Sequence, residues 1–171
     1  MLLDDRLRAA WQAQTDVIGP VKSAISLCNN AGISAAHDRA GYEGSEWAKL
    51  LQACLVAWVS TDRDEFATTA IRFYTALLDD KDRIGDGLSD AAIQHDHGYS
   101  IRNRGPFTAL AYDWLYAKLT PELRDKTRQR WDSWLTWYEQ KGYRARAPGS
   151  NYQAGYLVSA TLIAIAPGSE R

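Results

Sequence analysis

The chain is short of several things, and each shortage closes off a class of explanation. Its most apolar stretch, Tyr156 to Ala166, is only 11 residues long, whereas a membrane-spanning helix needs about 20. Neither charge is in excess: Lys plus Arg is 20, Asp plus Glu is 21, and the net charge is −1. Without a basic field there is nothing to hold a phosphate backbone, so nucleic acid is not an expected partner. Met1 to Asp5 has neither the basic region nor the apolar core of a secretory signal. The chain as it stands reads as cytoplasmic, and as periplasmic or secreted if its natural amino terminus lies further upstream. No Gly-rich phosphate loop or nucleophile elbow is present. Gly85-Asp86-Gly87 lacks the spaced acids and closing Glu of a calcium loop. No strand-like alternation runs for any length, and no short repeat is found. No cofactor is expected.

Cysteine is scarce as well. Cys28 and Cys54 are the only two, and each falls on an apolar helical stripe. They read as small buried thiols, with a disulfide between neighbouring helices as the alternative.

What remains is an ordinary globular composition with many large rings. At 171 residues, 46% hydrophobic and 24% charged, the chain reads as one domain able to bury a core rather than as a disordered segment. Seven Trp and nine Tyr are many for that size. Such rings mostly fill cores, but they also stack on sugars and rim binding grooves.

The apolar spacing is helical throughout. Leu3, Leu7, Ala10 and Trp11 mark a first helix over 3–15. Gly19-Pro20 opens a short second one carrying Val21, Ala24, Ile25 and Cys28, and Asn29 to Gly32 stops it. Residues 32–44 read as a loop. Trp47, Leu50, Leu51, Cys54, Leu55, Trp58 and Val59 form a full amphipathic stripe, with Ser45 as its cap. Asp62 and Glu65 predict a capping box for the next helix, which ends near Leu78. The joint between these two helices is so short that they should form an antiparallel hairpin. Residues 79–106 break the rhythm, with one turn at 88–94. A fifth helix is expected over 107–119. Thr120-Pro121-Glu122 starts a sixth, with a cap, a proline at the first position and an acid suited to the helix dipole. Its Trp131, Trp134 and Tyr138 point to core, with Trp137 as the candidate exposed ring. Its Arg124, Lys126, Arg128 and Arg130 spread around the helix and read as a solvated outer face.

The seventh helix, about 151–166, is apolar nearly all round. Such a helix needs neighbours on every side. If it lacks one, it leaves an exposed apolar patch that marks an interface, either with a second copy or with a missing half of the fold.

From His97 onward a resemblance enters. The run Gly98 to Pro106, the helix Ala109-Leu110-Ala111-Tyr112-Asp113-Trp114-Leu115-Tyr116, then Leu119 to Arg124 and Ser150-Asn151-Tyr152-Gln153-Ala154-Gly155-Tyr156 resemble the α/α toroid of heparinase II/III-like and alginate-lyase-like polysaccharide lyases. The resemblance covers about 95–166; the earlier residues fit only through their helical hairpins. It implies an all-α chain forming an incomplete α/α toroid of about seven helices in antiparallel hairpins. A full toroid has more helices and is commonly followed by a β-sheet domain, so residues 1–171 form a single helical domain that looks like a fragment or a reduced relative. The implied partner is an acidic, uronate-containing polysaccharide. The resemblance also implies that an Asn near the start of an inner helix, here Asn151, faces the cleft and binds the substrate carboxylate.

Uronate elimination needs a group to neutralise the carboxylate, a base for the adjacent C–H proton and an acid for the leaving oxygen. Asn151 with Arg102 or Arg104 suits the first task, and His97, Tyr99 or Tyr152 the proton transfers. Each also has a plainer reading. The arginines suit ion pairs with Asp96 or Asp113, or helix carbonyls; Asn151 suits a helix cap; Tyr152 and Tyr156 suit packing. His95-Asp96-His97 falls short of the three or four ligands that zinc requires, since the only other histidine, His37, lies in a distant loop; no metal is expected. The competing function is a non-catalytic helical scaffold or interaction module.

Overall fold

The computed structural model describes residues 4–13, 19–31, 45–79 and 92–169. They form seven helices: α1 (Asp5–Gln12), α2 (Gly19–Asn29), α3 (Ser45–Thr61), α4 (Asp64–Leu78), α5 (Ile101–Leu115), α6 (Pro121–Lys141) and α7 (Asn151–Ile165). A 3₁₀ segment, Ala92–Gly98, precedes α5, and no strand occurs among the described residues. The all-α expectation is met. The loop expected at 32–44 and most of the turn expected at 88–94 lie outside the described residues.

The core is built on α3 and α4. Two residues, Asp62 and Arg63, connect them, so the chain must reverse at once and the helices pack side by side. Leu51, Cys54, Leu55, Ala57 and Val59 of α3 meet Phe66, Ala70, Phe73, Tyr74, Leu77 and Leu78 of α4, all essentially without exposure. Burying each large apolar side chain stabilises by about 1.5–3 kcal/mol. The predicted capping box does not form. Asp62 takes a left-handed backbone, φ 59°, and pairs with Arg8 of α1. Arg63 occupies the cap position without a side-chain cap bond, and its guanidinium pairs instead with Glu65 in the first turn of α4. The connection is too short for Asp62 both to end α3 and to cap α4.

The two cysteines are disulfide-bonded, Cys28 to Cys54, with Cα atoms 4.9 Å apart. The alternative to free thiols holds, and the bond staples α2 to α3.

Helix α5 begins at Ile101, six residues before the expected start, and carries Pro106 inside it. Gly105-Pro106 reads locally as a break, because proline lacks an N–H and crowds the preceding turn. The neighbouring α7 explains the helix. A Cβ on Gly105 would lie 2.4 Å from the Ser159 Cβ, so glycine permits the two helices to touch. The Ser159 hydroxyl lies 2.9 Å from the Ile101 carbonyl, inside the weakened first turn. At the start of α6 the expectation is met: Thr120 accepts the Leu123 N–H at 3.2 Å, with Pro121 in the first turn.

Buried polar contacts join α6 to its neighbours. The Tyr74 and Thr127 hydroxyls meet in the core, and the Trp131 Nε1–H donates to Thr108 Oγ1 at 2.9 Å. Burial pushes the Tyr74 phenol far above its ordinary pKa, so it stays protonated. The basic residues of α6 are not merely solvated. Lys126 pairs with Asp79 at 2.6 Å, and Arg124 lies 3.8 Å over the Tyr116 ring while donating to the Tyr116 carbonyl. Trp137 is half-buried and packs against Gly98.

Helix α7 is expected to lack a neighbour and to leave an apolar face bare. It leaves a bare face. Only Ser159 and Ile163 are buried within it, and Leu157, Val158 and Ile165 are 53%, 52% and 42% exposed.

Candidate functional site

The 3₁₀ segment, the first turn of α5, the end of α6 and the start of α7 meet at one end of the molecule. Two backbone features bring them there. His97 and Gly98 both take positive φ, 53° and 89°, turning the chain sharply into α5. A Cβ on Gly98 would lie 2.8 Å from the Tyr138 ring, so both the conformation and the space call for glycine. The Tyr143 N–H donates to the His97 carbonyl at 3.0 Å, tying the α6–α7 turn to the 3₁₀ segment. Arg144, next along, also takes a positive φ of 51°. Non-glycine residues in that region cost about 1–2 kcal/mol each.

The side chains form a continuous aromatic line. His97 lies 6.1 Å from Tyr143, Tyr143 lies 5.0 Å from Tyr152, and Tyr152 lies 4.8 Å from Tyr99, ring centre to ring centre. The Arg102 guanidinium sits 4.6 Å over the Tyr99 ring and donates to its hydroxyl. On its far side Arg102 shares a shallow hollow of about 310 Å³ with Asn151, Ala154, Gly155 and Val158. Gly155 permits this approach, since a Cβ there would lie 2.7 Å from the Arg102 Cβ.

Five of the six predicted residues therefore lie along one surface: His97, Tyr99, Arg102, Asn151 and Tyr152. Arg104 does not. It is buried, 3% exposed, and its Nη1 donates to the Leu77 carbonyl at 2.8 Å, so it supports the end of α4. The plain reading of a helix carbonyl applies to Arg104. The plain reading of Asn151 as a cap does not apply, because Ser150 is the cap, accepting the Gln153 N–H at 3.1 Å. The Asn151 amide is left exposed at the first helical position. The side chains of His95 and Asp96 lie outside the described residues.

Sequence reasoning missed Tyr143 and Arg144. Tyr143 is 46% exposed, and the Arg144 guanidinium stands 5.6 Å over its ring. A signal was available: Lys141-Gly142-Tyr143-Arg144-Ala145-Arg146 puts three cations and an aromatic ring, with no acid, into an interhelical turn.

Two further tyrosines support this surface from behind. Tyr138 and Tyr156 stack at 4.9 Å with their planes 8° apart. Burial, with the Glu139 carboxylate that accepts its hydroxyl, pushes the Tyr156 phenol up to about 12. Burial also raises Tyr138, whose hydroxyl donates to the Tyr143 carbonyl at 3.1 Å. Both are hydrogen-bond donors at neutral pH, not bases.

The surface is open rather than enclosed. A cavity of about 670 Å³ lies elsewhere, between α1, α2 and α3, and none of the predicted residues lines it. An open, ringed and locally basic surface can stack on sugar faces and pair with carboxylates. It excludes little water, which elimination chemistry would gain from excluding. Compared with known proteins, the chain matches no family model, no curated protein and no solved structure.

Proposed function

We propose that this chain is a lyase-like helical toroid segment whose aromatic and basic end binds an acidic, uronate-containing saccharide. The observation that carries the reading is the line from His97 through Tyr143, Tyr152 and Tyr99 to Arg102. The exposed Tyr143 ring, with the half-buried Tyr99 and Tyr152 rings beside it, offers an apolar face to the C–H surface of a sugar. Arg102 and Arg144 offer fork-shaped donors that match a carboxylate, and the exposed Asn151 amide adds a neutral donor beside Arg102. The residues from Gly98 to Tyr156 that resemble the lyase toroids include most of this surface, and α3 to α6 supply helices of the kind a toroid alternates.

β-Elimination is the further step the same residues suit. Arg102 and Asn151 would neutralise the uronate carboxylate. Tyr99, Tyr152 or His97 would take the proton from the carbon beside it. The C–O bond at the next carbon would break as the C=C bond forms, and a protonated neighbour would return a proton to the leaving oxygen. The openness of the surface favours binding over turnover. The helical scaffold is the competing reading, favoured by Arg104 being bound to the Leu77 carbonyl.

The test is calorimetric titration with a polyuronate oligosaccharide and a neutral oligosaccharide of equal length. Binding of the acidic chain alone, weakened about tenfold or more by Arg102→Ala, which corresponds to about 1.4 kcal/mol, and weakened again by Tyr143→Ala, supports the proposal. Equal binding of both sugars, or of neither, sinks it and leaves the scaffold. Ultraviolet absorbance from an unsaturated uronate, lost in Tyr99→Phe and Tyr152→Phe, would establish turnover.

A further inference from the structure

The cavity between α1, α2 and α3 holds about 670 Å³, within the range of sites that enclose small molecules. Leu7 and Trp11 line it from α1, Leu27 from α2, and Lys49, Gln52 and Val56 from α3. Two of its walls are fixed by a bond just behind them. Leu27 and Ala53 immediately precede Cys28 and Cys54, whose disulfide holds α2 against α3. The Trp11 ring is braced edge-on by Trp114 of α5, 6.4 Å between centres. The hollow is therefore built in, and α2 is not free to shift and close it. Its chemistry is uneven. Leu7, Trp11 and Leu27 are 49%, 40% and 42% exposed, and apolar surface gathered in one concavity gains from leaving water. Among its described lining residues Lys49 alone is charged. Gln52 follows Lys49 by one turn of α3, and apolar Val56 by two, so the polar groups of this stripe lie at one end. Ser23 adds a hydroxyl from α2. From Lys49 to Val56 the stripe runs about 10 Å, at 1.5 Å per residue. The Lys49 side chain is 60% exposed, and its pair with Glu46 is long, at 3.8 Å. Such surface pairs are worth little, so an arriving anion can take the ammonium.

We propose that this cavity binds a single-chain amphiphile with a carboxylate head, of the medium-chain fatty-acid class. The alkyl chain lies among Leu7, Trp11, Leu27 and Val56. The carboxylate pairs with the Lys49 ammonium and accepts from the Gln52 amide. A neutral head would leave Lys49 unused, and a cationic head would be repelled by it. The cavity shares no lining residue with the hollow beside Arg102 and Asn151, so this proposal and the saccharide reading stand or fall separately.

The experiment is calorimetric titration of the full, disulfide-bonded chain with decanoate, decanol and decyltrimethylammonium, each below its aggregation concentration. Decanoate should bind one per chain, at least about tenfold tighter than decanol, with the cation weakest. Octanoate should bind more weakly than decanoate, by up to about fourfold for each methylene removed. Lys49→Gln should bring decanoate to the level of decanol and leave decanol unchanged. Val56→Trp, which fills the hollow, should abolish the binding of both. Leu27→Glu, at a site 42% exposed, serves if that variant fails to fold, and should weaken decanoate at least about tenfold. No binding by any of the three amphiphiles overturns the proposal; a dimer in sedimentation that Leu27→Glu breaks would then give the cavity to a second copy. Several molecules bound per chain, or binding that ignores both Val56→Trp and Leu27→Glu, also overturns it. Equal affinity for decanoate and decanol, or a decanoate affinity unchanged by Lys49→Gln, overturns the carboxylate head.

Discussion

Helix α3 carries Glu46 and Lys49 among its 17 residues, and α7 carries no charge among its 15. By composition α7 should be the deeper of the two. The reverse holds: eleven residues of α3 are buried and only two of α7. The reason lies in neighbours. Helix α3 is touched by α1, α2, α4 and α5, whereas α7 rests mainly on α5. Apolarity states what a helix needs, and only the arrangement of the other helices says whether the need is met. The contrast explains why one helix holds the fold together while the other keeps an apolar face exposed.

The sharpest way to break that comparison is one truncation made in both helices. Leu51→Ala on α3, at a site with no exposure, should cost about 3–5 kcal/mol through lost burial and a residual cavity. Leu157→Ala on α7 should cost under about 0.5 kcal/mol in the dilute monomer. Urea unfolding of both variants checks this, and equal losses would mean that α7 is covered.

Reduction comes next. The Cys28–Cys54 bond closes a loop with a sequence separation of 26, and constraining such a loop in the unfolded chain is worth about 3 kcal/mol. Unfolding in the presence of a reductant should lower stability by that amount. Unchanged unfolding would show that α2 is not stapled to α3 in solution.

The smallest effect is at alkaline pH. Tyr156 is raised from an ordinary 10.0 to about 12 in the fold. Above about pH 10 the unfolded chain loses its proton while the folded chain keeps it, so stability falls as pH rises. The contribution is fully present below pH 10 and lost through about pH 12. Tyr156→Phe should flatten the decline measured by denaturant midpoint over that range. An identical slope would exclude this phenol as the source.

Much of the helical plan was legible because it is local. The stripes of α3 and α4 and the Thr120-Pro121 start of α6 depend on residues within a few positions of each other. The misses all depend on distant partners. Gly105-Pro106 reads as a break until Ser159 is beside it. Asp62 reads as a cap until the two-residue reversal and Arg8 claim it. The same distinction runs through the candidate surface. His97, Tyr99, Arg102, Asn151 and Tyr152 were visible as residue types suited to a carboxylated sugar. Tyr143, which links His97 to Tyr152, belongs to a turn whose importance is purely spatial. Arg104 differs from Arg102 by two positions, enough to send one side chain into the core and leave the other outside.

The sequence by itself determined that this chain is helical, where most helices lie, and that its last helix is apolar and uncharged. These follow from periodicity and capping, which act over one or two turns. The tertiary structure alone decided which helices are central, that the two cysteines meet, that α5 can run through a proline, and which polar side chains share a surface. Those outcomes depend on contacts between residues far apart in the chain, where close approach is set by the shape of the neighbour and not by the local sequence.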